Sequence, residues 1–287
     1  FPCASVTGAP KARAMHHIRQ READARGVYC GATGVVRPRG GAVFNVAIRT
    51  VVARGDALSF GVGSGITAGS RAGAEWREWR HKGGFVERAS EPIALLETLA
   101  LDDGEPRHLD HHLARMARSA RHVGFDLDPA ALRACVMARA AAHPTGRWRL
   151  RLTLDARGVS ACEVFAHAAD PPRVTLALAA GAFTDAHSPF VRHKTTRRAH
   201  YDRAFLHLPG VFDTLLWNDD GELTECTRGN IALRLDEGWV TPAVTCGLLP
   251  GIGRGLALAE GRLREAVVPV SALARVREVA FINSLRG

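Results

Sequence analysis

The sequence contains very little lysine. Only three of its 38 basic residues are lysines, Lys11, Lys82 and Lys194, and the others are arginines. Arginine keeps its proton near neutral pH and does not form an imine with an aldehyde, whereas lysine can lose its proton and react. Each lysine is therefore a candidate for a role that arginine cannot fill, although three surface lysines left by chance are the alternative.

The sequence also lacks a hydrophobic stretch of the roughly 18 apolar residues that a membrane-spanning helix needs. Its first residues do not have the charged-then-apolar order of a secretory signal. The six cysteines include no C-x-x-C pair and no spacing typical of a zinc site. We therefore expect a cytoplasmic protein without membrane contact, structural zinc or a disulfide framework, and its 287 residues suit two domains.

The net charge of +9 does not by itself indicate nucleic-acid binding. The basic residues are spread along the chain and are not interleaved with aromatic residues, as they would be in a nucleic-acid-binding surface. Small anionic substrates explain the excess equally well, and biased base composition explains part of it. We expect an anionic small-molecule substrate and no nucleic-acid partner.

Apolar periodicity and turn residues divide the chain into two units of mixed α/β (α+β) structure. In the first unit, helices are predicted at 9–22 and 70–82, and strands at 28–36, 43–53 and 57–63. A glycine pair is predicted to close this unit at residue 84, with a linker over 85–92. The second unit alternates strands and helices, and a proline pair divides it into subdomains 93–172 and 173–287.

Several residues of the first unit suit a dicarboxylate and a hard cation. Arg49 ends a predicted strand, and a glycine-rich turn follows at GVGSGI, so a guanidinium and backbone N–H groups could bind carboxylates. Glu75 and Glu78 share one face of a predicted helix, which suits Mg²⁺, and Lys82 lies one turn further. A solvated helix face is the alternative interpretation of the two glutamates.

The segments FPCASVTGAPKARAM, RGVYCGATG, FNVAIRT, GVGSGI and EWREWRHK follow one another over residues 1–82. In this order they resemble the C-terminal part of the chorismate-using synthases, most closely component I of aminodeoxychorismate synthase. The resemblance implies a fragment of a chorismate-binding α/β sandwich. It implies that the chorismate-binding residues are Tyr29, Arg49, Gly63, Gly65 and Lys82. It implies that the magnesium ligands are Glu75 and Glu78.

In that family the synthase domain is several times longer, and its earlier part carries a further magnesium carboxylate and the residue that attacks chorismate. We therefore expect no synthase activity from residues 1–84 alone, and apolar strand faces left exposed by the absent neighbours. A bifunctional full-length parent is expected, with a glutamine amidotransferase subunit as its partner.

The second unit contains residues that suit pyridoxal phosphate. This cofactor needs a lysine for its aldehyde, a charged partner for its pyridine nitrogen and a phosphate cradle. Lys194 and Glu225 are candidates for the first two roles, and the glycine-rich turn in GLLPGIGR precedes a predicted helix, where N–H groups favour phosphate. Arg115 is a further anion partner. Singly, these residues could also be a surface arginine, a strand-end glutamate and an ordinary turn. His108, His111 and His112 are interpreted as an exposed helix start.

The segments LLETLALDDG, HLARMARSA, HKTTRRAHYD, GELTECTRGNIAL, TPAVTCGLLPGIGR and FINSLRG resemble the fold-type IV pyridoxal-phosphate enzymes over residues 93–287. HKTT and NSLRG are most similar to 4-amino-4-deoxychorismate lyase. The resemblance implies that Lys194 is the Schiff-base lysine, Glu225 the pyridinium partner and Arg115 the phosphate arginine. It also implies that Asn230, Ile231, Ile252 and Gly253 bind the cofactor and that Thr98 helps in proton transfer. Gly253 stands where many relatives have threonine.

The resemblance implies a carbon–oxygen lyase that converts aminodeoxychorismate to pyruvate and 4-aminobenzoate, a folate precursor, with Lys194 as the general base. Arg197 or Arg286 could hold substrate carboxylates. A branched-chain or D-amino acid aminotransferase of fold type IV and an inactive or interaction-only fragment remain as alternatives. Relatives are commonly dimers, so a homodimer is expected.

Overall fold

Helices and strands are both present in the computed structural model, which describes residues 1–168 and 171–286, apart from the side chains of residues 85 and 87–90. The chain divides into two units, and the boundary lies between Pro92 and Ile93. Within the described residues, no helix is both long enough and apolar enough to cross a membrane.

Two separate antiparallel hairpins and three helices make up the first unit. Its elements are α1 (Ala4–Thr7), α2 (Lys11–Arg21), β1 (Ala32–Val36), β2 (Ala42–Val46), β3 (Val51–Arg54), β4 (Ala57–Phe60) and α3 (Ala72–Ser90). Strand β1 pairs with β2 and β3 with β4, and each pair forms a two-stranded sheet.

Two sequence predictions for this unit are wrong. The single strand predicted at 43–53 is two strands, because Arg49 takes a left-handed conformation with φ 51° and breaks the extended chain. The helix predicted to end at residue 82 continues up to Ser90, through most of the segment predicted as a linker. Neither Gly83 nor Gly84 takes the left-handed conformation that ends helices. A glycine inside a helix costs only about 1 kcal/mol relative to alanine, so the helix continues through both.

The hairpins of the first unit expose apolar side chains, as expected from the sequence. All five residues of β1 and four of the five in β2 are exposed. The most exposed apolar side chains include Val36 at 69% and Leu58 at 72%. These faces lack the packing partners that a strand face of this composition normally has.

The second unit begins with a four-stranded antiparallel sheet covered by two helices. Its elements are β5 (Leu95–Asp102), β6 (Glu105–Pro106), α4 (Leu109–Val123), α5 (Pro129–Ala141), β7 (Arg147–Leu154) and β8 (Ser160–Ala166), and the strand order is β6-β5-β7-β8. Leucines at alternate positions of β5 and β7 are fully buried and pack against α4 and α5. Gly124 ends α4 in the left-handed conformation, as predicted.

The remaining elements form two more sheets. They are β9 (Leu176–Leu178), α6 (Pro189–Arg192), α7 (Ala199–Ala204), β10 (Asp213–Trp217), β11 (Leu223–Cys226), β12 (Asn230–Leu235), β13 (Gly238–Pro242), α8 (Ile252–Ala259), β14 (Arg264–Ala266) and β15 (Glu278–Ile282). The sheet orders are β11-β10-β9 and β14-β13-β12-β15. The short elements α6 and β14 escaped the sequence analysis, because three or four residues carry too little periodicity.

The segment that contains Lys194 is attached to the start of β5. The amide of Leu96 donates to the Lys194 carbonyl at 2.9 Å, and the amide of Thr196 donates to the Ala94 carbonyl at 2.9 Å. Leu95 and Thr195 thereby form an isolated antiparallel bridge. This pairing holds the lysine beside the first sheet, although it lies about 100 residues later in the chain.

Candidate active site

A cavity of about 290 Å³ in the second unit gathers most of the residues that the sequence singles out in that unit. Seven of them line it: Thr98, Arg115, Lys194, Glu225, Asn230, Ile252 and Arg286. They come from β5, α4, the segment before α7, the end of β11, the start of β12, the start of α8 and the C-terminal turn. The fold therefore brings together residues from both predicted subdomains at one place.

Lys194 is half-buried and lines this cavity. Its Nζ makes no hydrogen bond with any of the described residues. Burial, together with the positive charges of Arg198 and Arg115, lowers the pKa of the amine to about 8, against the opposing charges of two glutamates. A substantial neutral fraction near physiological pH is what a nucleophilic or proton-accepting amine requires.

Glu225 is only 3% exposed and is bonded at both oxygens. Oε1 accepts from the Tyr201 hydroxyl at 2.6 Å and from the Leu249 amide at 3.1 Å, while Oε2 accepts from Asn230 Nδ2 at 3.4 Å. Burial raises the pKa of Glu225 to about 7, although the bonds from Tyr201 and Leu249 act in the opposite direction. This carboxyl can therefore pair with a cationic ring nitrogen or share its proton.

The turn before α8 lines the cavity and packs closely against Asn230. A Cβ atom on Gly251 would lie 2.0 Å from Asn230 Oδ1, so only glycine fits here. Asn230 is held in place because its Nδ2 donates to the Leu249 carbonyl at 2.9 Å. Since Gly251 precedes the first turn of α8, the unbonded N–H groups of that turn are available to an anion.

Arg115 lies beside this turn and is paired with a carboxylate that the sequence analysis missed. Its Nε and Nη2 donate to Oε1 and Oε2 of Glu97 at 2.8 and 2.6 Å, and its Nη1 donates to the Pro250 carbonyl at 3.2 Å. His112 Nδ1 also contacts Glu97 Oε2 at 2.7 Å. Burial alone would raise the pKa of Glu97, but the charge and hydrogen bonds of Arg115 and those of His112 bring it to about 2. His112 is fully buried, so its assignment to an exposed helix start is wrong, while His108 and His111 are exposed.

Three further arginines line the cavity and were not predicted: Arg149, Arg198 and Arg228. The guanidinium of Arg149 lies 4.8 Å from the Phe165 ring centre, and that of Arg198 lies 4.6 Å from that of Tyr201. Arg228 is paired with Asp213 at 3.4 Å. Stacking on an aromatic ring keeps each guanidinium of Arg149 and Arg198 oriented, and Arg198 Nη2 also donates to the Thr227 carbonyl at 2.6 Å.

Three predicted residues lie away from the described lining of this cavity. Arg197 lies over the Phe190 ring, with 4.8 Å between guanidinium and ring centre. Ile231 is fully buried in the core of the last sheet. Gly253 lines a second, neighbouring cavity of about 670 Å³, which shares Asn283 and Ser284 with the first.

In the first unit, the structure brings several predicted chorismate-site residues close together. Lys82 Nζ lies 2.6 Å from Glu78 Oε1 and donates to the Gly63 carbonyl at 3.0 Å. The Tyr29 ring covers the backbone at Gly61, and its hydroxyl lies 3.0 Å from where a Cβ of Gly63 would be. Arg49 instead occupies the turn between β2 and β3, and Gly65 has no neighbouring atom within 4 Å of its Cβ position.

The described residues of the first unit do not by themselves form a magnesium site. Glu78 is paired with Lys82, and Glu75 accepts a hydrogen bond from Ser64, which in turn accepts from Trp79 Nε1 at 2.7 Å. No group of three or more His, Cys, Asp or Glu side chains suited to a metal occurs among the residues that the structure describes. Magnesium binding by Glu75 and Glu78 stays a prediction.

The two units of the chain match different protein families. Residues 1–88 match the family model described as chorismate binding enzyme. A stretch of 93 residues is 38% identical to anthranilate synthase component 1 of Neisseria gonorrhoeae, which corresponds to 32% of this chain and 19% of that protein. The chain therefore spans about a fifth of the length of the curated relatives it matches.

Residues 94–287 match the family model described as amino-transferase class IV. A crystal structure from Mesorhizobium loti, described as that of an amino-acid aminotransferase, is 32% identical in sequence with a TM-score of 0.63. The match covers 68% of this chain and 96% of that one. The 4-amino-4-deoxychorismate lyase of Pseudomonas aeruginosa is 27% identical with a TM-score of 0.56, over 68% of this chain and 80% of that one. Proteins of this family use pyridoxal phosphate. Because the second match covers most of the chain, the protein belongs to the class IV aminotransferase family, and in front of that domain it carries a region that matches the model of the chorismate binding enzymes.

Proposed function

We propose that residues 93–287 act as a pyridoxal-phosphate-dependent 4-amino-4-deoxychorismate lyase, which releases pyruvate and 4-aminobenzoate. The observation that supports this best is a pair of cavity-lining arginines, Arg149 and Arg198. Neither forms an ion pair with any described residue, although Arg198 Nη2 donates to the Thr227 carbonyl at 2.6 Å. The cavity therefore offers two guanidiniums to a ligand, which suits the two carboxylates of a chorismate-type substrate. A branched-chain amino acid has one carboxylate and an apolar side chain, and it would leave one guanidinium without a partner.

The described residues fit the cofactor. Lys194 presents an amine without a hydrogen-bond partner among the described residues, and Glu225 is a buried carboxyl that can hold a protonated ring nitrogen. The backbone at Gly251, the start of α8 and Arg115 would hold the phosphate, because Gly251 and Arg115 line the cavity and the N–H groups of the first helical turn favour an anion.

The bound cofactor would supply an electron sink for bond cleavage next to the substrate amine. Lys194, with its pKa near 8, can take the proton from the amine-bearing carbon. Glu225 keeps a proton at the ring nitrogen, and Arg149 and Arg198 orient the substrate carboxylates. Thr98 lines the same cavity, and Thr98 or Lys194 donates a proton as the enolpyruvyl group leaves.

The test is to supply the purified protein with pyridoxal phosphate and enzymatically prepared aminodeoxychorismate, and to measure both products. A lyase forms pyruvate and 4-aminobenzoate in equal amounts without a 2-oxo acid. Strict dependence on an added 2-oxo acid would instead support an aminotransferase, the candidate that the similarity to the Mesorhizobium loti protein favours. A protein that binds the cofactor and converts neither class of substrate would contradict both proposals.

We further propose that the second unit forms a homodimer and that the first unit is the chorismate-binding tail of a larger, bifunctional synthase with an amidotransferase partner. The clustering of Tyr29, Gly63, Glu78 and Lys82 supports the second of these proposals. Light scattering of the purified protein tests the first.

A further inference from the structure

The guanidinium of Arg115 is held from behind by a buried carboxylate. Nε and Nη2 both donate to Glu97, at 2.8 and 2.6 Å, so Nη1 is the nitrogen left to face the Pro250–Gly251 turn. Glu97 is 1% exposed and Arg115 is 6% exposed. A two-point pair of this kind fixes the plane of the guanidinium as well as its position.

Neither the cofactor nor the substrate needs Glu97 directly, since Glu97 is not among the described residues that line the cavity. Its carboxylate is nevertheless fully enclosed, and placing a charge there is unfavourable unless it is paired and hydrogen-bonded. The arrangement therefore has to be explained by what Glu97 does to its neighbours. We propose that Glu97 is a positioning residue for the anion site of the cavity: it holds Arg115 so that Nη1 can donate to the phosphate of the cofactor.

His112 secures the other side of the same carboxylate. It lies three residues before Arg115 on α4, so both side chains point from one face of the helix toward β5. Its Nδ1 lies 2.7 Å from Glu97 Oε2, and a carboxylate acceptor makes this nitrogen the donor. Its Nε2 is buried and makes no hydrogen bond with a described residue, so the contact with Glu97 is what His112 contributes to the network.

This inference rests on the proposed cofactor. It concerns the binding of the phosphate group and not of the rest of that molecule. Pyridoxal has the same ring and aldehyde as pyridoxal phosphate but no phosphate group. A residue that positions the anion site should therefore affect binding of pyridoxal phosphate and leave binding of pyridoxal unchanged. A residue with a merely structural role should affect both.

The experiment titrates wild-type apoprotein and the Glu97→Gln variant with each of the two compounds and follows the absorbance of the covalently linked chromophore. We expect Glu97→Gln to raise the dissociation constant of pyridoxal phosphate by about tenfold or more, by analogy with the loss of a residue that orients a metal ligand. The pyridoxal constant should not change. His112→Leu should act in the same direction, and His112→Asn should restore binding because its Nδ2 can replace Nδ1 as the donor.

Equal weakening of both compounds would overturn the proposal in favour of a structural role. Unchanged or tighter binding of pyridoxal phosphate would overturn it too, since Glu97 would then only neutralise Arg115. If Glu97→Gln does not fold, the dissociation constants of pyridoxal phosphate and pyridoxal are compared in Glu97→Asp instead. Aspartate keeps the charge but is too short for the two-point pair. A wild-type protein that does not bind pyridoxal phosphate would instead contradict the proposed function.

The matched control is Glu163→Gln. Glu163 on β8 pairs with Arg151 on β7 at 2.9 Å, in the same sheet as Glu97, but both side chains are exposed. Exposed pairs of this kind contribute little to stability. Both dissociation constants should be those of the wild type in this variant.

Discussion

The Tyr201 hydroxyl donates a 2.6 Å hydrogen bond to Oε1 of Glu225, inside the cavity that both residues line. Burial raises the pKa of Glu225 to about 7, and this bond opposes the rise because it stabilises the ionised form. We therefore expect Tyr201→Phe to raise the pKa of Glu225 further. Infrared spectra of the apoprotein across a pH series would measure it, with Glu225→Gln to assign the carboxyl band. A lower or unchanged pKa would show that the hydroxyl does not stabilise the charge.

Glu225 also makes stability depend on pH. Its folded-state pKa of about 7 lies above its ordinary value of 4.5, so between these values the folded protein binds more protons than the unfolded chain. Stability should fall as the pH rises through this window and then level off. At 1.36 kcal/mol per pKa unit the loss is at most about 3–4 kcal/mol. Urea unfolding of the apoprotein should show this slope in the wild type and a flatter one in Glu225→Gln, and identical slopes would contradict the assignment.

Lys194→Arg should fold and keep a positive charge but lose the covalent link to pyridoxal phosphate and the release of pyruvate. Borohydride treatment of the wild type with the cofactor should label the peptide that contains Lys194, as mass spectrometry would locate. Lys11→Arg and Lys82→Arg are the controls and should be labelled normally. A label on Lys11 or Lys82, or wild-type turnover in Lys194→Arg, would disprove the role of Lys194.

Gly251→Ala should impair the cofactor site. The new Cβ would lie 2.0 Å from Asn230 Oδ1, so the amide that bonds the Leu249 carbonyl has to move. We expect weaker binding of pyridoxal phosphate and a stability loss of about 1–3 kcal/mol, as for other overpacked sites. Thermal unfolding and a cofactor titration measure the two effects.

The control is Gly255→Ala, in the same helix. No atom lies within 4 Å of its Cβ position, so alanine there should stabilise the protein by about 0.5–1 kcal/mol and leave cofactor binding unchanged. If both alanine variants bind the cofactor like the wild type, the close approach at Gly251 has no functional role.

Limited proteolysis should cut the first unit before the second. Apolar side chains such as Val36, Val43 and Leu58 are exposed on two-stranded hairpins, which are marginally stable without further packing. Thermolysin, which cleaves at apolar residues, should therefore act within residues 1–92 well before residues 93–287. Equal resistance of the two units, read by mass spectrometry, would mean that another surface covers these faces.

Local sequence patterns were enough to predict site residues that stand out within their own segment. Lys194 stands out because lysine is scarce, and the turn before α8 because glycines precede a helical pattern. The structure places both at one cavity with Glu225 and Asn230. The strand break at Arg49 left no such signal, since arginine is common in strands and turns of this chain.

The pairing behind Arg115 was beyond sequence reasoning for a physical reason. Glu97 stands out as one charged residue in the apolar strand LLETLAL, and that signal was available. Its partners lie 15 and 18 residues later on a helix, and the contact exists only because α4 packs on β5. Similarly, Arg149 reads as one of many arginines until the strand places it beside the cavity.

The wall formed by Asn283 and Ser284 bears on how this protein can evolve. It separates the reacting residues from a larger second cavity, and Ser284 touches the Thr98 carbonyl at 3.5 Å. Substitutions on the far side, for example at Ala280 or Gly253, can move this wall without altering any side chain that performs the chemistry. Substrate range can therefore change by small steps while the residues proposed to hold the cofactor, Lys194 and Glu225, are retained.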